Sequence, residues 1–142
     1  MNYRSLLLAL FSSIGFLYNP RIQALIYITS EKQFQEQVLQ PDVWAVVNFF
    51  VPSSPIYRCP LCEMINATLT KFDLSGWPAQ NNVKLFAVDV SLMPAIAVKY
   101  GYSLPPTITF FSKGNKTGPS WQVKAIPKIG ELQAIIQSNM VR

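Results

Sequence analysis

The longest apolar stretch after the N-terminus runs Val43-Trp44-Ala45-Val46-Val47-Asn48-Phe49-Phe50-Val51, with Asn48 its only polar member. A continuous apolar run of this kind predicts a buried strand. Before it, Leu25–Ile28 reads as a short strand. Ser30 caps a helix, with Gln33 three residues on as a capping box and Phe34 and Val38 as its buried side. Pro41-Asp42 turns the chain into the long strand. A Pro- and Ser-rich loop, Pro52 to Arg58, follows it. A helix from Glu63 to Phe72 then carries Met64, Ile65, Leu69 and Phe72 and closes near Ser75-Gly76. Val83–Val90 is a second apolar strand. Pro94 and Gly101 suit the first turn and the C-terminal cap of a third helix. Leu104-Pro105-Pro106 leads into a strand, Thr107–Phe111; Lys113–Gly118 reads as a turn and Ser120–Ala125 as the edge strand that returns. Ile129, Leu132, Ile135 and Ile136 give a final helix its apolar face. The predicted order is β-α-β-α-β-α-β-β-α: parallel pairing in the first half, an antiparallel hairpin at the end, and an α/β fold with helices on both faces of a mixed sheet.

The first residues form a separate pattern. Met1-Asn2-Tyr3-Arg4 carries positive charge. Leu6–Tyr18 is apolar apart from Ser12, Ser13 and Gly15, and Arg21-Ile22-Gln23-Ala24 ends on a small residue. This is the layout of a secretory signal peptide over residues 1–24, followed by one domain over 25–142. An uncleaved anchor is the alternative, although the run is short for a membrane span.

Composition narrows the chemistry. Half of the 142 residues are apolar, enough for a core without extra disulfides. The net charge is +5, and loss of residues 1–24 removes Arg4 and Arg21 and leaves +3. The basic residues are scattered, without a Lys/Arg run or an aromatic-laced basic stripe, so no nucleic-acid partner is expected. The absence of histidine removes Ser-His-Asp and Cys-His catalysis and most zinc sites. Two cysteines supply half of a metal site, so neither metal nor other cofactor is expected.

Those two cysteines are Cys59-Pro60-Leu61-Cys62, a C-x-x-C pair between the buried strand and the following helix. A helix N-terminus stabilises a thiolate, so this placement favours redox chemistry. Cys59, at the exposed end with Arg58 beside it, is the expected nucleophile. Cys62, one turn in, is the expected resolving thiol, and the two are expected to form a reversible disulfide. The simpler alternative is a static structural bridge, but so short a loop gains little from crosslinking.

The sequence resembles the thioredoxin superfamily over nearly all of residues 25–142. The resemblance rests on the C-x-x-C opening a helix, on Pro106-Thr107 at the start of the fourth strand after a capped third helix, and on the Gly-bearing turn between the last two strands. It implies that the Pro105–Pro106 bond is cis and lies against the cysteine pair. It further implies that Pro105, Pro106 and Thr107, with Tyr57 and Arg58 before Cys59, contact an extended peptide by β-augmentation. Asn48 stands where the family often has a buried acid, and Ala87 where a lysine often accompanies it. Tyr57-Arg58 replaces the tryptophan before the first cysteine, and the loop before Cys59 is longer than usual.

These departures are similar to one branch, the lumenal thioredoxin-like domain of the oxidoreductase subunits of oligosaccharyltransferase. That likeness also rests on Phe49-Phe50, Ser75-Gly76-Trp77, Lys84–Asp89, and Pro106-Thr107 with Phe110-Phe111. Those subunits continue into several membrane spans, whereas no span beyond the N-terminal segment is expected here. The implied activity is protein thiol-disulfide exchange on cysteine-containing polypeptides in the endoplasmic reticulum lumen, with oligosaccharyltransferase subunits as partners and a link to N-glycosylation. Two alternatives remain open: a peptide-holding subunit without rapid turnover, and a secreted or periplasmic bacterial thioredoxin. Two sequons, Asn115-Lys116-Thr117 and Asn66-Ala67-Thr68, are candidate glycosylation sites. Asn115 is expected in an accessible turn, whereas Asn66, four residues after Cys62, is expected to be an ordinary helix residue.

Overall fold

The computed structural model describes residues 25–39 and 42–140. The signal-peptide reading and Pro41 of the proposed turn lie outside them. Five strands form one sheet: β1 (Ile26–Ile28), β2 (Trp44–Phe50), β3 (Val83–Asp89), β4 (Thr107–Ser112) and β5 (Asn115–Gln122). Their spatial order is β1-β3-β2-β4-β5. β3 pairs in parallel with β1 and β2, while β2–β4 and β4–β5 are antiparallel. The helices are α1 (Glu31–Gln33, continuing as a π-helical segment Phe34–Val38), α2 (Pro60–Leu74), α3 (Trp77–Gln80), α4 (Pro94–Lys99) and α5 (Ile129–Met140).

The long apolar runs become central strands because both faces of the sheet are covered. On one face, Val46, Phe50, Leu85, Ile108 and Phe110 pack with Ile65, Leu69 and Phe72 of α2 and Leu132 and Ile136 of α5. On the other, Ala45, Val47, Phe49, Phe86, Val88 and Phe111 pack with Phe34 and Val38 of α1 and Ile96 and Ala97 of α4. The chain is thus α/β with a mixed sheet between two helical layers, as the element order predicts.

Three local readings change. Ser30 caps α1 through its hydroxyl, which accepts from Gln33 N–H at 3.1 Å, but the Gln33 side chain reaches back to Thr29 N–H rather than to Ser30. The turn read over Lys113–Gly118 is only two residues long. Lys113 and Gly114 both have positive φ, the geometry of a tight two-residue hairpin, so β5 starts at Asn115 opposite Ser112. The returning strand accordingly spans Asn115–Gln122, not Ser120–Ala125. Gly118 lies at a register shift, where β4 passes from Phe110 to Ile108 while β5 passes from Thr117 to Trp121. Finally, α3 is an element that the hydrophobic pattern does not predict. Gly76, at φ 81°, turns the chain into it, and Pro78 falls in its first turn.

Candidate functional site

Sheet topology gathers the candidate residues at one end. β2 runs antiparallel to β4, with Phe49 opposite Thr107. The loop leaving β2 toward Cys59 and the segment entering β4 through Pro105-Pro106 therefore emerge at the same end of the sheet.

Cys59 is the N-cap residue of α2, and Pro60 stands in its first turn, where a missing N–H costs nothing. Cys59 and Cys62 form a disulfide with an S–S distance of 2.03 Å and a Cα–Cα distance of 5.2 Å. Cys59 Sγ accepts from Cys62 N–H at 3.2 Å, so an otherwise unpaired donor of the first turn points at the first sulfur. Cys59 N–H donates to Ser53 Oγ at 3.3 Å, which ties the start of the loop to its end. Cys59 is 6% exposed and Cys62 1%. Cys59 is thus less exposed than its place at the helix end suggests, and it belongs to the core cluster that includes Phe50, Cys62 and Ile65.

The Pro105–Pro106 bond is cis. Pro106 O accepts from Val123 N–H at 3.0 Å, and Thr107 Oγ1 donates to Leu104 O at 2.6 Å. These bonds fix the entry to β4 from both sides. Thr107 itself is buried, so its side chain supports the segment and does not face a ligand. Tyr57 and Arg58 are exposed beside Cys59. Burial first, and the nearby Tyr57 phenol second, push the Tyr102 hydroxyl above its usual range.

Beneath the cysteines lies a polar pair. Asn48, fully buried, donates through Nδ2 to Asn66 Oδ1 at 2.8 Å. Asn66 sits one helical turn after Cys62 and is 8% exposed. Asn66 of the second sequon is thus buried and hydrogen-bonded to Asn48 in the folded chain. Asn115 is exposed, at the first position of β5 rather than within a turn. The sequence did carry a signal for the pair. An amide inside an apolar strand requires a buried partner, and Asn66 shares the helix face of Cys62. Asn48 Oδ1 has no hydrogen-bond partner. A cleft of about 420 Å³, lined by Tyr27, Phe50, Pro52, Cys62, Glu63 and Asn66 among others, reaches Cys62 from the β1 side. A second hollow of about 550 Å³, bordered by Ser53, Ser54, Pro55, Arg58, Pro60 and Glu63, lies at the loop. Among the described residues, no cluster of three or more His, Cys, Asp or Glu side chains could hold a metal ion.

Comparison with known proteins converges on one family. The family model described as Thioredoxin matches residues 25–137. Thioredoxin 1 of Nostoc sp. is 27% identical over 99 residues, covering 70% of this chain and 83% of that protein. Among solved structures, the thioredoxin of Malassezia sympodialis (Mala s 13) superposes with a TM-score of 0.62 at 29% identity, over 82% of this chain and 92% of that one. The Trx4 domain of ERdj5 gives a TM-score of 0.62 at 20% identity, over 83% and 96% of the two chains, a likeness of fold.

Proposed function

The chain belongs to the thioredoxin family, and from that premise we propose that it is a thiol-disulfide oxidoreductase acting on protein cysteines through Cys59 and Cys62. The observation that carries the reading is the disulfide at the start of α2, with Cys59 Sγ facing the Cys62 N–H. In the reduced protein, that N–H and the helix dipole stabilise a thiolate at Cys59.

The exchange runs in two steps. The Cys59 thiolate attacks one sulfur of a substrate disulfide, forming a mixed disulfide and releasing the first substrate thiolate. Cys62 then loses its proton and attacks Cys59 Sγ, which releases the second substrate thiolate and closes the Cys59–Cys62 disulfide. Two electrons pass to the substrate, and the reverse sequence oxidises a substrate dithiol. Asn48 cannot take up a proton, so the proton of Cys62 must leave by another route, and the cleft that reaches this residue offers water one. The test is multiple turnover on a disulfide-bonded peptide with a glutathione redox couple. A Cys62→Ser variant is expected to stop at the mixed disulfide and a Cys59→Ala variant to form none. Turnover retained by Cys59→Ala would refute the assignment.

We further propose that the protein works in the endoplasmic reticulum lumen, in association with oligosaccharyltransferase. This reading rests on the signal-peptide pattern of residues 1–24 and on the branch resemblance around Phe49-Phe50, Ser75-Gly76-Trp77 and the long loop before Cys59. Asn115 gives its test. Expressed in a eukaryotic cell, the chain is expected to gain a glycan at this exposed residue, removable by endoglycosidase. An unmodified chain that retains residues 1–24 would overturn the location.

A further inference from the structure

We propose that Ile56 is a specificity-determining residue of the cysteine site. It would receive an apolar side chain close in sequence to the reacting cysteine of an extended polypeptide substrate. The proposal rests on the oxidoreductase reading and adds the class of substrate.

Ile56 is 97% exposed. An isoleucine so placed contributes no burial to the fold, while its hydration is unfavourable. It is also not on a loose segment. Ser54 N–H donates to Tyr57 O at 2.6 Å and Tyr57 N–H donates to Ser54 O at 3.3 Å, with a further bond from Tyr57 N–H to Ser54 Oγ at 3.1 Å. Pro55 and Ile56 are the two central residues of a turn closed in both directions, and Pro55 has a fixed φ. The base of the loop is tied to the nucleophile by the bond from Cys59 N–H to Ser53 Oγ. An apolar side chain is thus held out from a pre-ordered support, a form that spares ordering cost when a ligand binds.

Position selects the occupant. Two residues lie between Ile56 and Cys59, so their Cα atoms are at most about 11 Å apart. An extended peptide advances about 3.3 Å per residue. A chain joined to Cys59 through its own cysteine can therefore reach Ile56 within about three residues of that cysteine. Tyr57 and Leu104, both substantially exposed, provide further apolar surface on the loop and on the approach to Pro105. Arg58 and Glu63 border the loop hollow with opposite charges, so it presents no net sign to an acidic or basic peptide.

The experiment compares the full chain with its Ile56→Ser and Ile56→Leu variants. Two disulfide-linked peptides are used, alike except that one has Leu and the other Gly two residues from the cysteine. Wild type is expected to favour the Leu peptide about tenfold in kcat/KM, an effect of the size expected for a small apolar group. Ile56→Ser should bring that ratio near one through KM, and Ile56→Leu should restore it. Binding of the same Leu peptide with its cysteine replaced by serine, read by fluorescence anisotropy, should weaken about tenfold in Ile56→Ser. Equal ratios in wild type and Ile56→Ser would overturn the proposal. So would unchanged anisotropy, or a change of oligomeric state in Ile56→Ser with the peptide preference intact, which would assign Ile56 to contact between copies. Absence of turnover by wild type on either peptide would refute the oxidoreductase reading, while the anisotropy measurement still decides the role of Ile56.

Discussion

Removal of the Asn66 side chain isolates the energetic role of the buried amide pair. In Asn66→Ala, Asn48 Nδ2 loses its acceptor, and Asn48 Oδ1 is already without a donor. A fully buried amide would then have no partner at either end. Leaving a buried polar group unpaired costs about 1–3 kcal/mol, and the better helix propensity of alanine returns at most about 0.7 kcal/mol. A net loss of about 1–2 kcal/mol is expected. The reciprocal change should behave differently. Asn48→Val removes both buried polar atoms from the strand, and the Asn66 left behind borders the cleft, where water can reach it. Its expected cost is within about 1 kcal/mol of zero. The double variant should recover most of the Asn66→Ala loss, giving a coupling of about 1–2 kcal/mol. Urea unfolding of the four proteins measures this. With a slope of about 1–3 kcal/mol per molar, the Asn66→Ala midpoint should fall by roughly 1 M. Additive effects, or an Asn48→Val variant less stable than Asn66→Ala, would refute the argument.

Other consequences follow from the same structure. Reduced Cys59 should alkylate with iodoacetamide at a pH below the ordinary thiol range of about 8.5, well before Cys62; equal rates would remove the nucleophile assignment. Gly101→Ala should destabilise by about 1–3 kcal/mol. Gly101 has φ 91°, and a Cβ there would lie 2.7 Å from Ser120 Oγ, which is held by Tyr100 O and Thr109 Oγ1. Thermal unfolding of the Ala variant checks this loss. Burial pushes the Asp73 carboxyl above its usual 3.8. The folded chain therefore holds this proton more tightly than the unfolded chain, and its contribution to stability is lost as pH rises from 3.8 through the raised value. Asp73→Asn should lack this decline and be the more stable protein at neutral pH; parallel urea midpoints across pH 3 to 7 would contradict it.

Much of the fold is legible because its elements are locally determined. Burial on both faces lets Val46, Val47, Phe49 and Phe50 follow one another, so β2 is visible as an apolar run. Pro60, Pro94 and Gly101 mark helix ends through backbone restrictions that act wherever the residue sits. The edge of the sheet is less legible. β5, none of whose residues is buried, has no apolar pattern, and its start depends on Lys113 adopting positive φ beside Gly114. The π-helical continuation of α1 likewise leaves no trace in residue spacing.

The candidate site divides along the same line. The sequence by itself determined that the two cysteines stand at a helix start, because strand pattern, C-x-x-C spacing and helix periodicity are properties of neighbouring residues. It also determined the α/β class, through the order of the elements. The sequence signals that Asn48 needs a buried partner; tertiary structure decided that this partner is Asn66, 18 residues away. It also decided that Ser53 Oγ accepts from Cys59 N–H, that the loop leaving β2 and the segment entering β4 emerge at the same end of the sheet, and that Ile56 is left in solvent. These relations depend on the antiparallel register of β2 and β4 and on how a loop closes upon itself. Both are set by the packing of distant segments, which no local pattern encodes.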